Sequence, residues 1–176
     1  MCFSIYPNRS NTNELKTKSI EFKINMSPQL PTRKLGKNGP EVVALGLGLM
    51  GISAFYGAPE PDSERLAFLD RALELGATNW DSADVYADSE DLIGKWFART
   101  GKRDEIFLAT KFGHKGEGSG KDVKITIDSS PEYAKQACEK SLQRLGIKTI
   151  DLYYCHRVDR KTPIEKTVEA MAELKK

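Results

Sequence analysis

The sequence predicts an α/β fold in which a parallel sheet is covered by crossover helices. Strand-like runs and helical repeats alternate four times along the chain. The strand runs are apolar at nearly every position, as expected where both faces of a sheet are covered. Polar side chains sit at the ends of those runs, where the ligand sites of parallel α/β folds are built.

Residues 1 to about 30 are polar, rich in Asn, Ser, Thr and Lys, and follow no period, so a loose extension is expected there. Met26, followed by "SPQLPTRKLG", reads as a natural beginning, and residues 31–176 read as one domain. "RKLGKNGPEVV" predicts a hairpin turning at Asn38-Gly39. "VALGLGL" (43–49) predicts the first strand. "DSERLAFLDRALELG" (62–76) places Leu66, Leu69 and Leu73 on one helical stripe and ends at Gly76. "ATNWDSA" (77–83) is strand-like. "SEDLIGKWFART" (89–100) gathers Leu92, Ile93, Trp96 and Phe97 on a helix face.

"EIFLATKFG" (105–113) predicts a buried strand, and a long glycine-rich loop is expected from His114 to Ser129. Ser130 and Pro131 form an N-cap and first-turn proline for the next helix. "TIDLYYCH" (149–156) is the fourth strand. Thr162-Pro163-Ile164-Glu165 reads as a capping box opening the last helix.

Composition excludes several function classes. Lys and Arg total 27 against 25 Asp and Glu, so no basic field exists to gather nucleic acid. No apolar run is long enough to span a bilayer. The three cysteines, Cys2, Cys138 and Cys155, suggest neither a disulfide framework nor a zinc knuckle, and a cytoplasmic setting is expected. The two histidines, His114 and His156, lack ligand spacing, so no metal is expected. His114 reads as a loop histidine.

"GLGLMG" (46–51) matches the glycine spacing of a dinucleotide-binding turn. That turn needs its helix to open at the third glycine, where backbone amides meet the pyrophosphate. Here Gly51 is followed by "ISAFYGAPEP", and Pro59 and Pro61 interrupt any such helix. The motif is therefore read as a strand and turn at a barrel rim.

Chemistry concentrates elsewhere. Asp81 ends the second strand, Tyr86 follows five residues later, Lys111 ends the third strand and His156 the fourth. A charge in an apolar run is costly unless partnered. In a parallel barrel these ends share one face, and adjacent strands lie about 4.8 Å apart. A phenol is ordinarily too weak an acid to act near neutrality, and a neighbouring ammonium stabilises its phenolate. Tyr86 would then donate a proton, Lys111 assist it, Asp81 hold the lysine charged, and His156 hydrogen-bond a carbonyl oxygen.

On these stretches, together with "SSPEYAKQACEKSLQRLGIKTIDLYYCHRVD" and "PIEKTVEAMAELKK", the sequence from 32 to 176 resembles the aldo-keto reductase superfamily, in its perakine- and pyridoxal-reductase-like branch. The resemblance implies a TIM (β/α)8 barrel and reduction of an aldehyde or ketone with NADPH bound outside any Rossmann domain. It leaves NADPH against NADH open. It also implies that Asp81, Met50 and Gly51 approach the cofactor, and that Tyr86 and His156 touch the carbonyl substrate.

A full barrel takes eight strands and about 250 residues; the expected structure here is a partial barrel, a hairpin plus about four βα units. Half a barrel would expose two sheet edges and an apolar inner face, favouring self-association, and would lack the family's grip on the cofactor phosphates. Two expectations follow: a carbonyl reductase of secondary metabolism of which this is the N-terminal half, or a catalytically incompetent truncated half barrel acting as a remnant or interaction partner.

Overall fold

The computed structural model describes residues 30–117 and 124–175. The extension expected over residues 1–30 therefore lies, but for its last residue, outside the described residues. Strands β1 (Thr32–Lys34) and β2 (Glu41–Val43) form an antiparallel hairpin with Lys34 opposite Glu41. The expected two-residue turn at Asn38-Gly39 is not how it closes. Such a turn needs the amide of residue 40, and Pro40 has none. Instead the Leu35 amide donates to the Pro40 carbonyl at 2.9 Å, and Gly36 supplies the left-handed residue at φ 74°.

In chain order there follow β3 (Leu47–Gly48), α1 (Asp62–Glu74), β4 (Asn79–Asp81), α2 (Ser89–Thr100), β5 (Phe107–Phe112), β6 (His114–Glu117), β7 (Lys124–Ile127), α3 (Pro131–Leu145), β8 (Leu152–Cys155) and α4 (Ile164–Leu174). Strands β3, β4, β5 and β8 form a parallel sheet in that order. The first of these is shorter than the predicted 43–49, because Val43 is committed to the hairpin opposite Thr32. The predicted loop after Gly113 is instead a two-stranded ribbon, His114 facing Ile127, whose tip at 118–123 lies outside the described residues.

The core lies between the sheet and its helices. Leu49, Leu69, Trp80, Leu92, Ile93, Trp96 and Leu108 are fully or almost fully buried together. The Trp80 and Trp96 rings are 4.8 Å apart, and the Trp96 indole donates to Asp70 at 2.8 Å, so its polar edge is satisfied. Helices α2 and α3 approach closely at Gly94, where an added Cβ would lie 2.4 Å from the Arg144 carbonyl. A second cluster packs Phe112 with Ala134, Ala137 and Ala170.

Helix termini differ in how well they were foreseen. The Ser130 hydroxyl accepts the Tyr133 amide at 3.2 Å, as expected of an N-cap. The Thr162 capping box does not form. Helix α4 starts from Pro163 with no side-chain cap, because the Thr162 hydroxyl donates to Asp159 at 2.8 Å. Asp159 also accepts the amides of Lys161 and Thr162, which hold its carboxyl well below the usual range. No helix among the described residues is long and apolar enough to cross a membrane.

Candidate active site

Parallel pairing brings the C-terminal ends of β4, β5 and β8 to one rim. Lys111 stands opposite Tyr154 in the register, and the Ser82 amide, just past β4, donates to Ala109 at 2.9 Å. Lys111 is the penultimate residue of β5 and only 5% exposed. A buried ammonium needs acceptors for its three protons. It has them: Asp81 Oδ1 at 2.5 Å, the Ser82 carbonyl at 2.7 Å and the Tyr86 hydroxyl at 3.3 Å. The rings of Tyr86 and Tyr154 flank the same ammonium, their centroids 4.7 and 5.3 Å away.

Tyr86 is buried in the short turn between β4 and α2, fixed by its own amide donating to Ala83 and by the Ser89 amide donating to its carbonyl. His156 follows β8, anchored by its amide donating to the Phe112 carbonyl at 2.6 Å. Its ring meets the Tyr86 ring edge to face, with centroids 5.8 Å apart. Burial, then the neighbouring His114 and Lys111, push the His156 imidazole down to about 4, so it is neutral at physiological pH. The structure thus brings all four residues together: Asp81, Lys111 and Tyr86 through direct bonds, and His156 through its ring.

Three further residues belong to this rim. The Tyr154 hydroxyl donates to Asp81 Oδ2, and burial together with that bond raises its pKa. Alternation along β8 was a signal for it, since Tyr154 lies two residues before His156 and shares its face. His114, read from sequence as a loop histidine, is the first residue of β6, and its ring lies 4.5 Å from that of His156. Asp84 is raised to about 7, first by burial and then by the Glu90 carboxylate. No sequence pattern marked either His114 or Asp84, because the ribbon that covers them has no apolar period.

The Leu49 amide donates to the Asp81 carbonyl at 2.8 Å, so the single turn Met50–Ile52 leaves the sheet beside the acid. Met50 is half-buried and Gly51 exposed; Gly51 borders a groove of about 520 Å³ with Gly48, Ile52, Tyr56 and Phe68. Asp81 keeps 36% of its side chain exposed at this rim.

A sequence model described as the Aldo/keto reductase family matches residues 44–176. The chain belongs to that family. Its curated relatives include aldo-keto reductase str7 of Strobilurus tenacellus, 53% identical over 152 residues, which span 84% of this chain and 42% of that protein. Aldo-keto reductase yakc [NADP(+)] of Schizosaccharomyces pombe is 46% identical over 144 residues, 81% of this chain and 41% of that one. Among solved structures, an aldo-keto reductase from Bacillus halodurans in its holo form superposes with a TM-score of 0.72 at 35% identity, covering 83% of this chain and 46% of that one. The fold is thus a partial barrel of the aldo-keto reductase type, four parallel βα units in an open sheet. The chain spans less than half the length of these relatives.

Proposed function

We propose that residues 31–176 carry the proton-transfer site of an NADPH-dependent aldo-keto reductase that converts an aldehyde or ketone to an alcohol. One observation supports this above the rest: a buried Lys111 ammonium bonded at once to the Asp81 carboxylate and the Tyr86 hydroxyl. NADPH, when bound, supplies a hydride to the carbonyl carbon. Tyr86 passes its hydroxyl proton to the carbonyl oxygen as negative charge gathers there. Lys111 stabilises the phenolate left behind, and Asp81 keeps Lys111 charged and aimed. The neutral His156 donates a hydrogen bond to the same oxygen and orients it.

The residues present fit the reactive end of such a cofactor. Asp81 offers a half-open carboxylate to a ribose hydroxyl, with Met50 alongside and Gly51 presenting no side chain toward the groove. The preference for NADP rests on the name of the fission-yeast relative. A cytoplasmic location and a role in secondary metabolism belong to the same reading.

Tyr86→Phe tests it. In a barrel completed with the second half of a full-length relative, reduction of a panel of aldehydes and ketones should fall by about 10²–10⁴-fold, while quenching of protein fluorescence by NADPH stays as in the completed parent. Turnover retained in Tyr86→Phe removes the proton-donor role.

A second reading rests on a different observation. Strand β8 is an outer strand of the sheet, and Leu152, Val168 and Leu174 leave apolar surface exposed near it. On this reading the chain is an interaction partner or associates with itself through that edge. Sedimentation showing a concentration-dependent dimer with no NADPH binding would favour it.

A further inference from the structure

We infer that His114 and His156 form one coupled imidazole pair, in which His114 acts as a positioning residue that keeps His156 uncharged with its proton on Nε2. The inference deepens the proposed role of His156 as carbonyl hydrogen-bond donor.

Three geometric facts carry it. The two rings lie 4.5 Å apart at 81° to one another, so the edge of one meets the face of the other. Nδ1 of His156 and Nδ1 of His114 are both buried and without a hydrogen-bond partner. The backbone holding each ring is pinned: the His156 amide donates to Phe112, and the His114 carbonyl accepts the Tyr133 hydroxyl at 2.8 Å.

An imidazolium carries two N–H donors, and each needs an acceptor when buried. At His156 the Nδ1 side offers none, so a proton there would be an unsatisfied buried donor in the neutral ring and would add an unpaired charge in the imidazolium. A bare Nδ1 lone pair is far less costly, which leaves the proton on Nε2. A second ring within contact distance reinforces this, because two imidazolium ions at that separation repel.

Two of the surrounding charges, Lys111 and Arg157, act in the same direction, and Asp81 opposes them. His156 faces Lys111 on β5, Asp81 on β4, Tyr86 in the turn before α2, Arg157 on its own segment and His114 on β6. The one carboxylate in that set, Asp81, is already bonded by Lys111 and Tyr154. His114 faces Arg157 as well, and burial followed by that guanidinium lowers its own pKa. On the α3 side it meets Tyr133, with Lys115 over the Tyr133 ring and the Asp84 carboxyl 3.4 Å from the Tyr133 hydroxyl.

The chain contains only these two histidines, so side-chain ¹⁵N nuclear magnetic resonance reads the pair without overlap. In the unmodified chain the His156 signals should keep the neutral, Nε2-protonated pattern down to about pH 5, and the two midpoints should differ. His114→Gln should raise the His156 midpoint by about one pH unit, whereas His156→Gln should leave that of His114 nearly in place, because His156 is still neutral when His114 takes up its proton. Each variant leaves a single histidine, so its signals need no assignment.

A His156 midpoint unmoved by His114→Gln overturns the inference. If neither variant folds, the unmodified chain decides: two independent titrations near the ordinary value of about 6.5 overturn it equally. The outcome is independent of turnover, so a failed Tyr86→Phe test would leave this result standing, and the converse also holds.

Discussion

Successive residues of strand β5 reach two ion pairs, Thr110 by a hydrogen bond and Lys111 as a member, and the two pairs are built to opposite ends. Thr110 points toward the helices, where its hydroxyl donates to Glu90 Oε1 at 2.6 Å and Arg144 closes on Glu90 Oε2 at 2.5 Å. Lys111 points toward the other face and pairs with Asp81. In the first site the acid is sealed, its side chain 2% exposed, and the base is the partner that reaches solvent, at 30%. In the second the base is sealed at 7% and the acid is open at 36%. Strand alternation gives one residue to each face. The sealed acid clamps α2 and α3 to the sheet, whereas the open acid at the rim is free to meet a ligand as well as its lysine.

The largest effect should come from breaking the sealed site. Arg144→Met leaves the Glu90 carboxylate buried with the Thr110 hydroxyl as its remaining bonded partner. Losing one member of a buried pair costs about 3–5 kcal/mol, so urea unfolding should show that loss, with a partly unfolded chain near neutrality. A loss within ordinary surface-substitution range would mean that the pair contributes little.

Asp84 lies between the two sites and sharpens the comparison by pH. Its amide donates to the Lys111 carbonyl, while the Glu90 carboxylate raises its pKa and Arg144 lowers it. The folded value of about 7 exceeds the ordinary aspartate value of 3.8. Between those values the folded state holds a proton that the unfolded state has released, so this contribution is full below the unfolded value and is lost as pH rises through the folded one. Asp84→Asn removes that loss. Its melting temperature relative to the parent should climb by several degrees from about pH 4.5 to about pH 8. A difference constant with pH would place Asp84 in contact with water.

Legibility in the sequence divides along similar lines. Helix α2 runs over Ser89–Thr100 as its apolar stripe predicts, because Leu92, Ile93, Trp96 and Phe97 repeat at helical spacing and all bury. Asp81, Lys111 and His156 were legible because each lies at the end of an apolar run, and Tyr86 because it follows Asp81 by five residues in the next loop. The β6–β7 ribbon was not: it pairs His114 with Ile127, Lys115 with Thr126 and Gly116 with Ile125, and both isoleucines are exposed, so pairing is held by backbone bonds that leave no apolar signature. His114 was hidden with it. The Thr162 capping box failed for a competing local bond, since Asp159 sits three residues earlier and accepts the hydroxyl the cap would have used.

The measurement that bears most directly on the open site is the carbonyl-reduction rate of Lys111→Met, in a barrel completed with the second half of a full-length relative, set against its thermal melt. Asp81 would keep its Tyr154 bond and its exposure to water, so melting should change little. The phenolate of Tyr86 would lose its stabilising charge, so the rate should fall by about 10²-fold or more. A rate that survives, or one that falls only in step with a collapsing melt, would contradict the account.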